Sequence, residues 1–206
     1  MKTFIRVALA VLCVFTSCNA EEQCDCTPEG ILETISDVLE YRGAWDFLTS
    51  SKTLYLMYIP MNLSIGSIQC VISTLEKKAP SFPNVHRWIL YIDAFKGDEW
   101  QKKSVLLTMQ NKTASRSSSS FTTKAFPRFG DKFPVVFVDS KCLIFRILSY
   151  NFGGRTGCAW WVKESDKDNR LWHCYLIFEF FCGVSHRQIY NKEACAHAKK
   201  KNKMPQ

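Results

Sequence analysis

The sequence predicts an all-β fold, an eight-stranded antiparallel up-and-down barrel with one helix before it and one packed outside it. Three observations carry this. Short runs of β-branched and aromatic residues follow one another from Thr53 to Lys163, the segments between them hold turn chemistry, and helical spacing returns only before and after that block.

The chain opens with Lys2 and Arg6 and then an apolar run from Val7 to Phe15, with small residues up to Ala20. That is the pattern of a secretory signal peptide over 1–20, cleaved after Ala20. The run falls short of the roughly 20 apolar residues a spanning helix needs, and no later stretch is long enough either. Residues 21–206 are then read as one exported domain, with no linker dividing them. Between Glu29 and Tyr41, Ile31, Leu32, Ile35, Val38 and Leu39 recur at helical spacing with acidic residues opposite, which predicts a short amphipathic helix.

The strand runs are 53–59, 67–75, 86–92, 104–110, 121–126, 133–138, 142–148 and 157–163. Pro80 to Pro83, Gly97-Asp98, Gly130-Asp131, Asp139 to Lys141 and Gly153-Gly154 supply the connections, and Ser115 to Ser120 reads as a mobile hairpin loop. Closing such a meander removes the exposed edges of an open sheet and leaves an interior about large enough for one small ligand. Leu171, Cys174, Tyr175, Phe178 and Cys182 then return to a spacing of three and four, which predicts a helix on the barrel wall. Lys199, Lys200, Lys201 and Lys203 concentrate charge in the tail 196–206, read as a solvated, frayed end; attraction of heparin-like polyanions is the competing reading.

Cys13 and Cys18 leave with the signal peptide, and eight cysteines remain: Cys24, Cys26, Cys70, Cys142, Cys158, Cys174, Cys182 and Cys195. An even set in an exported chain implies up to four disulfides, whose pairing the spacing does not fix. No Cys-x-x-Cys pair occurs and His86, His173, His186 and His197 are scattered, so no metal site is expected. Asn62-Leu-Ser64 and Asn111-Lys-Thr113 are glycosylation acceptors that suit export. The formal charge of +8 becomes +6 without Lys2 and Arg6, and no nucleic-acid motif accompanies it. Neither Gly-x-Ser-x-Gly nor His-Glu-x-x-His is present, and Asp98-Glu99 sits in a turn, so neither an enzyme nor a cofactor is expected.

Taken in order, several landmarks resemble the tick salivary lipocalins, the histamine-binding family. They are Ala44-Trp45, Leu54 to Tyr58, Cys70, Val138 to Cys142, Cys158-Ala-Trp-Trp-Val162, Cys174 with Phe178-Glu179 and Cys182-Gly183, and Tyr190 to Cys195. The resemblance implies the lipocalin calyx, secretion into the bite and sequestration of a host mediator such as histamine, serotonin or an eicosanoid. It implies bridges between Cys70 and Cys195 and between Cys142 and Cys174, with Cys158 and Cys182 as a third pair. Cys24 and Cys26 are left over and either pair with each other, bond another chain or stay free. A monomer is expected, with Trp45 as a structural residue closing the barrel base.

Period-two alternation places Leu54, Leu56, Tyr58, Phe137, Leu143, Phe145, Ala159 and Trp161 toward the interior. In the histamine binders an Asp follows the cysteine that matches Cys142, and an acid stands at the place of Ala159; here those positions are Leu143 and Ala159. An apolar, aromatic lumen favours a fatty acid or eicosanoid over a buried cation, with a basic or hydroxyl group at the mouth for the carboxylate. Two other readings stand beside this: side chains that fill the core and leave no cavity, and capture of a host plasma protein by the outer surface.

Overall fold

The structure, a computed structural model, describes residues 43–201 except 62, 64, 77–78, 97–98, 111–119, 153–154 and 183–184. The signal peptide, the helix expected over 29–41, Cys24 and Cys26, Asn62 and Asn111, most of the serine run and the tail from 202 lie outside the described residues.

A one-turn helix α1 (Trp45–Leu48) precedes eight strands: β1 (Leu54–Pro60), β2 (Ile68–Leu75), β3 (Asn84–Asp93), β4 (Trp100–Gln110), β5 (Ser120–Thr122), β6 (Lys132–Val138), β7 (Cys142–Phe152) and β8 (Arg155–Lys163). Helix α2 (Trp172–Cys182), strand β9 (His186–Gln188) and helix α3 (Lys192–Lys201) follow. Each of the first seven strands pairs antiparallel with its successor, and β1 closes the ring by pairing with both β2 and β8. This is a closed eight-stranded antiparallel barrel. β1 meets β2 only at Leu54 and Tyr55; farther along, from Tyr58 to Pro60, β9 takes the vacated edge. Three residues of β9 thus satisfy backbone groups that the diverging β2 leaves open. Gly157 permits the close approach of β1 to β8, since a Cβ there would lie 2.4 Å from Pro60 Cγ.

The strand directions put Pro60, Ile68, Asp93 and Trp100 at one end of the barrel, and Leu54, Asn84 and Gln110 at the other. α1 covers the second end. Its Ala44, Phe47 and Leu48 join Leu54, Val85, Val105, Phe121 and Phe133 in one buried cluster, with Trp45 half-buried against it and edge-on to Phe82 at 5.3 Å.

A second apolar layer lies outside the wall. Ile72, Leu90, Ile144, Trp160 and Val162 turn outward and are covered by Cys174, Phe178, Phe181 and Cys182 of α2 and by Cys195 of α3. Disulfides join Cys70 to Cys195, Cys142 to Cys174 and Cys158 to Cys182, each tying a strand to a helix. Cys70 has φ of +49° at a register shift between Gln69 and Ile72, so Ile68 and Val71 both face inward while the Cys70 sulfur points out to α3.

Two expectations need correction. The run 121–126 is strand only to Thr122, because the Thr123 hydroxyl takes the Ala125 N–H at 3.2 Å and a turn through Pro127 follows. Ser120 belongs to β5 and is buried, not to a loop. Helix α3 begins where Asn191 Oδ1 accepts the Ala194 N–H at 2.9 Å, and Cys195 bridges its first turn to the wall.

Candidate functional site

The barrel encloses a cavity of about 580 Å³. That lies within the roughly 300–1,000 Å³ of small-molecule pockets. Its wall is built from the inward positions of successive strands: Leu54 and Leu56 of β1, Val71 and Ser73 of β2, Ile89 and Tyr91 of β3, Val105 and Leu107 of β4, Phe133 of β6, Leu143, Phe145 and Ile147 of β7, and Ala159 and Trp161 of β8. Phe121 and Phe145 meet edge to face at 5.0 Å, which fixes both rings against the wall.

Of the residues placed inward by alternation, Leu54, Leu56, Leu143, Phe145, Ala159 and Trp161 lie on this wall, and Tyr58 and Phe137 do not. Each exception follows a bulge. β1 shifts register between Leu56, opposite Trp161, and Tyr58, opposite Trp160. The extra residue turns Tyr58 outward, where its ring stacks on Trp160 at 5.2 Å and meets Phe178 of α2 at 5.8 Å. Burial, aided by the Glu179 carboxylate, pushes the Tyr58 hydroxyl pKa up. β6 shifts between Val135 and Phe137 in the same way, and Phe137 joins the outer layer beside His173.

No aspartate or glutamate lines the cavity among the described residues, whereas Arg87, Lys103 and Arg128 do. Arg87 is 1% exposed, at the α1 end. Its Nε donates to Ser73 Oγ at 2.8 Å, Nη1 to the Leu48 and Ser50 carbonyls at 2.7 and 3.0 Å, and Nη2 to the Lys52 and Ser73 carbonyls at 3.3 and 3.0 Å. All of its N–H donors are therefore engaged by the protein. Desolvation lowers its pKa to about 10, which still leaves it charged at neutral pH. Arg87 contributes positive potential to the cavity without a free hydrogen bond for a ligand.

The open end differs. There the loop 61–67 contributes Leu63, Ile65 and Gly66, and the turn 123–131 contributes Phe126, Arg128 and Phe129. Lys103 reaches up from β4, donates to the Ala125 carbonyl and lies 4.8 Å from the Phe126 ring centre. The Ser149 hydroxyl donates to the Arg128 carbonyl at 3.4 Å and ties the turn to β7. The Arg128 side chain is exposed.

A cluster of metal-ligand types, Asp139, Cys142, His173 and Cys174, lies outside the barrel with its ligand atoms within 4.8 Å of one another. Two of these atoms are the sulfurs of one disulfide, and His173 is bonded to Asp139 at 2.8 Å, so no ligand set is open to a cation. Among the described residues no helix is long and apolar enough to cross a membrane.

A protein-family model described as tick histamine binding protein matches residues 33–197. Among curated proteins none matches significantly. A solved structure of japanin from Rhipicephalus appendiculatus, bound to cholesterol, is similar with a TM-score of 0.54 and 15% identity, over 71% of this chain and 97% of that one. At that identity the likeness is one of fold.

Proposed function

The chain belongs to the tick histamine binding protein family, and from that premise we propose that it is a secreted lipocalin that sequesters one small apolar mediator bearing a single acidic group, such as a fatty acid or an eicosanoid. The observation that carries this reading is the sign of the lumen. Arg87, Lys103 and Arg128 line it and no carboxylate among the described residues does. Histamine or serotonin would bring a further positive charge into an apolar enclosure with nothing to offset its lost hydration. An acyl chain gains about 0.8 kcal/mol for each CH₂ buried against walls such as Leu56, Phe145 and Trp161. The acid then rests at the open end against Lys103 and Arg128, because the donors of Arg87 are already taken.

Removal of such a mediator from the bite suppresses host inflammation by binding alone, without catalysis. Japanin's cholesterol fits the same architecture with a neutral ligand, so a sterol is the control that tests the role of the acid. Calorimetric titration with arachidonate, cholesterol, histamine and serotonin decides the class. Arachidonate binding at least tenfold tighter than histamine supports the proposal, and submicromolar histamine binding overturns it.

One observation favours a second reading, capture of a host plasma protein by the outer surface. Trp172 and Leu176, one turn apart on α2, are 60% and 49% exposed.

A further inference from the structure

We infer that Ser73 is a specificity-determining residue of the cavity: its hydroxyl donates to an oxygen carried at the middle of the ligand chain, so that the protein selects a mid-chain hydroxy or keto acid over a plain acyl chain. This rests on the reading of the ligand as an apolar acid and adds a second polar contact to it.

Among the described residues the cavity wall holds two buried hydroxyls, Ser73 at 2% exposure and Thr123 at 6%. A third, that of Tyr91, is only half-buried and lies two residues from the open end. The Thr123 oxygen accepts the Ala125 N–H at 3.2 Å and the Ala125 carbonyl accepts from Lys103, so this hydroxyl belongs with the group that meets the acid. Ser73 stands apart. It sits on β2 opposite Leu54 of β1 and Ile89 of β3, in a stretch of wall that is apolar apart from the neighbouring Arg87.

A serine hydroxyl carries one proton and two lone pairs. Ser73 Oγ accepts from Arg87 Nε at 2.8 Å, and the Ser73 carbonyl accepts from Nη2 at 3.0 Å. Holding the guanidinium therefore engages the oxygens of Ser73 and leaves its proton unused, for among the described residues no acceptor takes it. Donation from a cation polarises the hydroxyl and makes that proton a stronger donor. Water in the lumen satisfies it. A CH₂ in the same place leaves it buried and unpaired, and a site with such a donor rejects the analogue that lacks the matching acceptor.

The strand register locates that acceptor along the chain. Ser73 pairs with Ile89 and Ile89 with Lys103. Two strand spacings, about 10 Å, therefore separate Ser73 from Lys103. A carboxylate held by Lys103 sets mid-chain carbons against Ser73, not those beside the acid.

Calorimetric titration of the intact, oxidised protein tests this with three acids: arachidonate, an arachidonate hydroxylated at mid-chain, and the isomer hydroxylated next to the carboxyl. The wild type binds the mid-chain isomer about tenfold tighter than arachidonate, and the other isomer gains nothing. In Ser73→Ala the preference for the mid-chain isomer disappears, and in Ser73→Thr, which keeps the hydroxyl, it persists. A serine that only holds Arg87 would weaken every ligand alike and leave the preference intact. Equal binding of the three acids by the wild type, or a preference that survives in Ser73→Ala, overturns the assignment. The methyl esters of arachidonate and of the mid-chain isomer separate this inference from the reading beneath it. If the esters show the tenfold preference while neither acid binds, the acid reading falls and the role of Ser73 stands.

Discussion

Arg87 Nη1 donates to the Leu48 carbonyl oxygen across 2.7 Å, which fastens β3 to the helix that covers the barrel base. The same guanidinium holds Ser50, Lys52 and Ser73, so one side chain fixes the whole entry of the chain into the barrel. Arg87→Met keeps the stem and strands these carbonyls in a buried site. The expected loss is about 3 kcal/mol, since hydrogen bonds to charged groups are worth roughly 1.5–3 each and the orphaned acceptors add to it. Chemical denaturation measures it, and a change below about 1 kcal/mol would show the network to be ornamental.

Ala159 is the smallest side chain that the strands contribute to the wall, with Phe145 as its partner across β7 and β8. Ala159→Trp would ruin a filled core by overpacking, at about 1–3 kcal/mol. In a barrel with an open lumen the indole enters existing space instead. The expected outcome is near-native stability with arachidonate affinity reduced tenfold or more. A strongly destabilised variant would mean that the lumen is already filled.

A pair of carboxylates should invert the ligand preference. Leu143→Asp with Ala159→Glu places negative charge on the wall between Phe145 and Trp161. Measurable histamine binding should appear while arachidonate binding weakens. If the double variant folds and still ignores histamine by calorimetry, the sign of the lumen is not what sets selectivity.

Asp168 lies at a surface corner, held by hydrogen bonds from Lys167 and from the Tyr190 hydroxyl, the latter at 2.9 Å. The Lys167 hydrogen bond first, and then that of Tyr190, keep its pKa below the usual carboxylate value. A depressed carboxylate binds fewer protons folded than unfolded, so its contribution is present above the unfolded pKa and is lost as pH falls through the folded one. Asp168→Asn should therefore lower stability at neutral pH and flatten the acid limb below about pH 4. Because the group is exposed, the effect is small, and melting curves at closely spaced pH values are the measurement. Parallel wild-type and variant profiles would refute it.

Cys70 and Cys195 close a loop of 125 residues and anchor α3 to β2. Cys195→Ala paired with Cys70→Ala should cost about 2–4 kcal/mol. Protease sensitivity beginning at α3, ahead of global unfolding, is the expected signature. Full retention of stability would mean that α3 is held by its apolar contacts alone.

The parity of the strands was readable wherever register is regular. Leu143, Phe145 and Ile147 alternate with Ile144 and Arg146, and the wall follows that count. Parity failed at Tyr58 and Phe137 because a bulge adds one residue and reverses every face beyond it, and neither bulge is marked by a glycine. Arg87 was missed although it keeps step with Val85, Ile89 and Tyr91, a sign that a charge in phase with apolar neighbours points inward. β9 escaped because three residues make no periodic run; only its pairing with β1 gives it an identity. The order of the landmarks points to the family, and the family match over residues 33–197 and the closed eight-stranded barrel agree with it.

The α1 helix and the Arg87 network close one end of the barrel, so an occupant leaves by the way it entered. Such a vessel has no through-flow: a newcomer cannot push a resident out from behind, and replacement waits for spontaneous departure. Residence time then matters more than encounter frequency. Under the proposed function each molecule retires one mediator for the lifetime of the complex, so capacity is set by stoichiometry.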